Sequence, residues 1–298
     1  MKRIVDWLMA MRLWSLTASA IPVLIGAALA ALDGTFSWVM LALTLVCGCS
    51  LHVATNLLNT YGDYASGVDQ VAQTLTSPQL VTGTLRPVAV FRVGLGVLLG
   101  ASALAVVIIA MSGWGLLWFA VPGVLGCGFY TTGLRYKYLG FGVPGAFTFA
   151  GVLLVGASYF AQTGTMTWGA AIASLPISCM VGGLLLGNDL RDMDSDREMK
   201  IQTTALFLGP RGACTLFYAL HLLPHIVIIG ASLAHVIPYW CLLTLLAAPL
   251  TFSVLKTTRD GFRLNDHAKV AKLEGMTAGT HFVFGVLMVA GLVTAVIF

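Results

Sequence analysis

Asp189, Asp192 and Asp196 follow the spacing i, i+3 and i+7. A helix continued through them presents three carboxylates on one face. Charges so placed repel one another unless a cation neutralises them. Donors that are all oxygen favour Mg2+, which keeps waters and binds through one or two carboxylates plus substrate phosphate oxygens. Asp194 and Glu198 lie off that face, where water solvates them. A second stretch repeats the spacing with Asn56, Asn59 and Asp63. Asp69 is off its helical face, but Gly62 and Gly67 permit the backbone to break and bring it round. Of the twelve Asp and Glu, seven fall in 56–69 and 188–198. Either stretch alone is as readily a charged helix end meeting water. Their recurrence at matching positions favours a cation site assembled from both halves of the chain.

The elements that must hold these residues are membrane helices. Hydrophobic residues make up 58% of the 298 positions and charged residues 9%, against about 25% charged in a soluble domain. Apolar runs of spanning length are expected at 13–32, 37–59, 89–111, 114–132, 142–162, 168–188, 212–233, 236–255 and 276–297. The fold class is therefore all-α: a polytopic membrane protein with nine transmembrane helices, in two pseudo-repeated four-helix halves plus a final helix. Residues 1–298 form a single transmembrane domain, and the first apolar run is a retained helix rather than a signal peptide. Acidic clusters end the second and sixth helices, and the polar loops after them, long enough to act as lids, could cap a cavity.

Nine spans put the N-terminus and the loops 60–88, 133–141, 189–211 and 256–275 on one side. All sixteen Lys and Arg fall on that side, which the positive-inside rule makes cytoplasmic. The net charge of +4 follows from topology and gives no reason to expect nucleic acid. The short N-terminal tail suits a bacterial inner membrane. The six Cys include no CxxC pair and read as small buried hydrophobes. His221 and His225 are four apart with Pro224 between them, which reads as helix packing.

These stretches give the chain a resemblance to the UbiA superfamily of intramembrane prenyltransferases, nearest its menaquinone-forming branch. The residues that carry it are Asn59-Thr-Tyr-Gly-Asp63 with Gly67-Val-Asp69, Tyr130-Thr131 with Lys137-Tyr138, and Arg191-Asp192-Met-Asp194-Ser-Asp196-Arg197-Glu198. The resemblance implies an enzyme that ionises an isoprenyl diphosphate and joins the allylic cation to an aromatic acceptor. It implies two Mg2+ ions held by Asn59, Asp63, Asp69, Asp192 and Asp196. Asn188 matches a neighbouring polar position and, with Asn56, is expected among the substrate-binding residues. Arg135, Lys137, Arg191 and Arg197 are candidate diphosphate contacts, with Lys137 and Arg191 the two inside matched stretches. Tyr130 is placed near the reacting carbon, its alternative being a membrane-interface aromatic. The prenyl tail and membrane lipid are expected against helices rich in Gly and Ala, with Gly145, Gly151 and Gly156 along one of them and Phe147, Phe149 and Phe160 as its lining.

Three departures from the family pattern stand out. The stretch Gln70–Leu85 carries no charge where relatives have basic and acidic residues. Gly142-Val143 stands where many relatives have Gly-Asp. Thr60 replaces an Asp of the bacterial enzymes. The expectation is a retained ionisation site beside an altered acceptor site. Two other readings compete: a terpene cyclase of the same superfamily, in which an internal double bond attacks the cation, and a non-enzymatic carrier or lipid-binding protein.

Overall fold

A computed structural model describes residues 2–68, 78–264 and 266–298. Among them every named element is helical. A short surface helix α1 (Lys2–Met11) leads through a 3-10 turn into α2 (Thr17–Leu32), followed by α3 (Trp38–Ala65), α4 (Pro87–Ser112) and α5 (Leu117–Gly128). Then come α6 (Gly142–Thr163), α7 (Trp168–Arg191), a six-residue α8 (Met193–Glu198), α9 (Thr204–Leu233), α10 (Tyr239–Leu264) and α11 (Leu273–Ile297). Local signals set the boundaries. The Ser37 hydroxyl accepts the Met40 amide at the start of α3, and Thr167 accepts that of Ala170 at the start of α7, each satisfying a helix N-terminal N–H. Pro87 opens α4, where its missing N–H costs nothing. Gly113 and Gly164, both at positive φ, close α4 and α6.

Among the described residues eight helical stretches are long and apolar enough to cross a membrane, the first running from Arg3 through α1 and α2 to Leu32, and Trp114–Gly128 is a shorter apolar ninth. The chain is an integral, multi-pass membrane protein. The fourth expected span, 114–132, ends four residues early because 129–138 turn back as a loop. Trp38, Trp114, Trp118 and Trp168 are all more than three-quarters exposed, and they stand at the helix ends away from the basic loops. That is the position of an interfacial aromatic belt.

α3 packs on α4, α7 on α9, and α2 on α6, while α11 lies against α2, α7 and α10. Three apolar clusters join these pairs. The largest is built on Ile25, Tyr159, Ile177, Phe284 and Met288, the second on Leu186, Phe217, Val254 and Leu273, and the third on Met40, Ile108 and Leu116. Gly151 and Gly156 serve close packing, since a Cβ on them would meet Ser178 and Phe119. Phe147 sits in the second cluster and Phe160 in the third. Of the three phenylalanines expected along a tail groove, only Phe149 lines a cavity.

A Cβ on Gly26 would lie 2.4 Å from the Val155 carbonyl oxygen across the α2–α6 contact, whereas Gly100 on α4 faces open space. Gly26→Leu should therefore destabilise the fold by about 1–3 kcal/mol, the usual cost of overpacking, and Gly100→Leu should be tolerated. Thermal unfolding of the two variants in detergent checks the contrast.

Candidate active site

α3 runs past its apolar stretch and carries Asn59 and Asp63 on its last two turns before Gly67, at φ 75°, breaks it. Both side chains are about 5% exposed. Loop 129–138 lies across them. It folds back through Lys137 N–H donating to Tyr130 O at 3.1 Å and Tyr136 N–H to Phe129 O at 3.4 Å. It can approach because residue 62 is glycine: a Cβ there would be 2.8 Å from the Thr131 carbonyl oxygen. Gly62 thus allows a close approach inside the helix, and Gly67 alone makes the break. Asp69 lies outside the described residues.

The loop delivers a cation to the first motif. Lys137 Nζ donates to Asn59 Oδ1 at 3.2 Å and to Asp63 Oδ1 and Oδ2 at 3.2 and 3.0 Å, and the Tyr138 hydroxyl donates to Asp63 Oδ1. Burial opposes the lysine's charge, but Asp63 beside it prevails, so its pKa is raised above the ordinary value. The same ammonium is 5.8 Å from the centre of the Tyr130 ring, within cation–π range.

α7 supplies the second motif. The helix stops at Arg191, Asp192 is its C-cap, and α8 starts at Met193. The expected continuous helix is therefore interrupted by one residue, yet Asp189, Asp192 and Asp196 still line one cavity. The Arg191 guanidinium forks onto Asp192, with Nε to Oδ1 at 2.7 Å and Nη2 to Oδ2 at 2.6 Å, and its Nη1 pairs with Glu274 of α11. Asp196, 9% exposed, has its pKa pushed up to about 7 by burial and by the charges of Asp192 and Asp189. Asn188 Oδ1 is buried with no hydrogen-bond partner.

The two motifs face each other across a cavity of about 620 Å³. Among the described residues its polar end carries five carboxylates (Asp63, Asp189, Asp192, Asp196 and Glu274) against three cations (Arg12, Lys137 and Arg191). From there it follows α3 through Asn56, His52, Leu51 and Gly48 to Thr44. That is nineteen residues from Asp63, roughly 28 Å at 1.5 Å per residue. Ala105, Ile108, Leu116 and Phe119 line the far end.

Most of the expected site residues meet here. Asn56, Asn59, Asp63, Tyr130, Lys137, Asn188, Arg191, Asp192 and Asp196 all line the cavity. Asn56 uses its amide N–H groups to hold Met11 O at 3.0 Å and Ser15 Oγ at 3.2 Å, so it clamps the turn between α1 and α2 to α3. Arg135 and Arg197 do not join the wall. Both are exposed, Arg135 at the outer turn of its loop with φ 52°, and Arg197 with its nearest carboxylate, Asp194, at 3.4 Å.

Arg12, Tyr138 and Glu274 were not among the expected site residues. Tyr138 adjoins Lys137 in the sequence, but nothing local marks Glu274, which reaches Arg191 only through the docking of α11. Val143 is 3% exposed within the second apolar cluster, its N–H donating to Thr204 Oγ1 at 3.2 Å. The Gly-Val departure therefore takes no acid from the cavity wall. In the neutral stretch, Leu80 and Leu85 are buried against Ala10, Leu57 and Val90. Among the described residues no three His, Cys, Asp or Glu side chains lie close enough together to form a metal cluster by themselves. The two motifs converge on one cavity without collapsing onto each other.

A bundle of membrane helices enclosing a long apolar cavity with a carboxylate-rich mouth is the architecture of an intramembrane enzyme acting on an amphiphile. The UbiA prenyltransferase family matches residues 19–273, and the chain belongs to that family. It is 29% identical to the 1,4-dihydroxy-2-naphthoate octaprenyltransferase of Bacillus subtilis (strain 168), over 93% of this chain and 89% of that one. It is 30% identical to UbiA prenyltransferase domain-containing protein 1 of Homo sapiens, over 95% and 83%. Both fit the branch to which the motif stretches point. Among solved structures it superposes on a UbiA homolog from Aeropyrum pernix K1 with a TM-score of 0.70 at 16% identity, covering 93% and 97%. It also superposes on one from Archaeoglobus fulgidus bound to GPP and Mg2+, with a TM-score of 0.62 at 13% identity, covering 96% and 99%. At that identity the likeness concerns the fold.

The native state binds the Asp196 proton more tightly than an unfolded chain, whose carboxyl titrates at about 4. Metal-free protein should therefore lose stability as pH rises from there to about 7 and level off above. Asp196→Asn should make this slope shallower, as melting curves from pH 4 to 9 in detergent with chelator would show.

Proposed function

We propose that this protein transfers an isoprenyl group from a prenyl diphosphate to an aromatic, quinone-precursor-like acceptor within the membrane. The single observation that carries the reading is the cavity: one end is rich in carboxylates, and the rest is a mostly apolar tube long enough for a prenyl chain. The family and the activities named for the relatives support it. So does the diphosphate bound by the Archaeoglobus fulgidus homolog.

The residues fit a divalent metal. Asn59 and Asp63 already direct three oxygens at one cation, the Lys137 ammonium. The polar end still carries five carboxylates against three cations, a balance that repels a diphosphate unless further positive charge is bound. Asn188 adds an unpartnered oxygen. We assign Asn59, Asp63, Asp192 and Asp196, with Asp69, to hold Mg2+, and we take the number of ions to be two. Bound there, Mg2+ would neutralise the diphosphate and make it a better leaving group.

The chain's own groups do the rest. Lys137 and Arg191 bracket the diphosphate and donate hydrogen bonds as the bond from C1 to oxygen breaks. Glu274 and Asp192 hold the Arg191 guanidinium in place for this. The Tyr130 ring offers a π face to the allylic cation. The apolar walls from Leu51 to Leu116 hold the tail and exclude water that would otherwise capture the cation. The acceptor's ring carbon then bonds to C1, and the ring loses a proton.

We place residues 1–298 in one UbiA-type domain, with the acidic mouth at the cytoplasmic face of a bacterial inner membrane and lipid around the helices. The one-sided distribution of all sixteen Lys and Arg supports the orientation. The extent of the family match and the coverage of the solved homologs support the single domain.

Asp63→Ala and Asp192→Ala should each lower turnover by at least a thousandfold and leave folded protein, and chelation of Mg2+ should do the same. A radiolabelled prenyl diphosphate assay in membranes reads this. Unchanged turnover in either variant removes its assigned role, and absence of Mg2+-dependent diphosphate release with every donor tried removes the enzyme reading. A cyclic hydrocarbon or alcohol formed from donor alone would make the protein a cyclase instead.

A further inference from the structure

One part of the cavity wall is polar where a tail-binding tube should be greasy. His52 lies seven residues before Asn59 on α3, about 10 Å further into the membrane at 1.5 Å per residue. Its ring sits between two serines. Nε2 is 3.0 Å from Ser15 Oγ, and Nδ1 is 2.7 Å from Ser19 Oγ. All three residues line the cavity, and Ser19 is 3% exposed.

The hydrogen-bond inventory fixes the polarity of this triad. A hydroxyl has one proton to donate. Ser15 gives its proton to Arg12 O at 2.7 Å, so toward His52 it can only accept. Nε2 therefore carries the proton, and Nδ1 presents a lone pair. The Ser19 hydroxyl donates to that lone pair. What remains on Ser19 is oxygen lone pairs, made more basic by the bond to His52, at the cavity surface.

A second observation concerns the neighbouring helix. His281 stands on α11, which packs against α2; it is fully buried, and among the described residues neither of its ring nitrogens has a hydrogen-bond partner. Buried polar groups are rarely left unpaired. A wall holding only a prenyl chain has no use for a serine–histidine triad.

We propose that Ser19, positioned by His52, forms the subsite that recognises a hydroxyl group on the aromatic acceptor, with Ser19 Oγ accepting the acceptor's O–H. This deepens the transfer reading and rests on it. It assigns the acceptor's hydroxylated edge to the wall formed by α2 and α3, two turns below the first motif. A ring bearing O–H is then preferred over one whose oxygens are methylated, because a methyl ether has nothing to donate.

The test uses the full chain in nanodiscs with Mg2+ and geranyl diphosphate, with 1,4-dihydroxy-2-naphthoate as acceptor and its 1,4-dimethoxy analogue as control. Ser19→Ala should raise the KM for the dihydroxy acceptor about tenfold, the loss of one well-made hydrogen bond of about 1.4 kcal/mol. The KM for geranyl diphosphate should stay within about twofold. His52→Phe should act in the same direction, and the dimethoxy compound should be a poor acceptor of the unmodified protein and insensitive to Ser19→Ala. A purely structural triad would shift both KM values together or neither, and that result overturns the subsite while leaving the transfer reading intact. If His52→Phe fails to fold, the Ser19→Ala result decides alone. If the unmodified protein releases diphosphate but prenylates no hydroxylated ring, the acceptor half of the transfer reading fails and the subsite falls with it.

Discussion

The constraint on which this molecule turns is an excess of carboxylate at the edge of a low-dielectric region. Five acids and three bases share one end of the cavity. At such a boundary an unpaired charge is expensive, and each ion must find a counter-charge or give up its ionised form. The protein meets the demand in three ways. Lys137 covers Asp63, Arg191 bridges Asp192 and Glu274, and Asp196 holds its proton up to about pH 7. Among the described residues Asp189 and Asp196 then have no cation of their own within salt-bridge distance, and a site left short of positive charge is one prepared to acquire it.

The rest of the fold can be understood as scaffolding for that end. α3 and α7 are the second spans of the two sets of four, and each extends its helix to carry acids beyond its apolar stretch. The loop after α5 abandons a spanning helix early, so that Lys137 and Tyr138 reach back across α3. α11 contributes Glu274 to fix Arg191. Apolar clusters flank the mouth, with Leu190 and Met193 beside Asp189 and Asp192 and Leu57 just before Asn59, and fix the helices around it. Small residues such as Gly26 and Gly151 bring backbones together elsewhere, which is how membrane helices associate without a hydrophobic driving force.

Much of this was legible in the sequence because membrane helices obey simple rules. Apolar runs, one-sided basic loops and the i, i+3, i+7 spacing of Asp189, Asp192 and Asp196 all follow from bilayer thickness and helical pitch. What could not be read depends on tertiary docking. Glu274 sits more than eighty residues from Arg191, and no periodicity links them. Arg135 and Arg197 had the right charge and neighbourhood, but a positive-φ turn and a solvent-facing side of α8 carry them outward. His52 looked like any histidine on an apolar helix until Ser15 and Ser19 came alongside, brought there by a helix break at Arg12, whose φ is 52°.

The departures from the family pattern take on a different meaning once their positions are known. A missing acid at 143 argued for a changed acceptor chemistry only if that residue faced the reaction. It is instead packed among Cys179, Leu186 and Phe217, where an ionised side chain would need a partner that the cluster does not provide. In the described end of the uncharged stretch after the first motif, Leu80 and Leu85 likewise sit in an apolar cluster. Both changes are compatible with a cavity whose ionising end is intact. What discriminates between acceptors must then lie on the wall itself, and there the Ser15–His52–Ser19 triad presents polar groups deeper than Asn56, whereas the hydroxyls of Thr44, Thr55 and Ser158 are given to backbone carbonyls. Transfer to an added ring, rather than internal cyclisation, is the outcome such a wall favours, because a cyclase needs an apolar surface to fold the chain on itself and gains nothing from a hydroxyl acceptor on that surface.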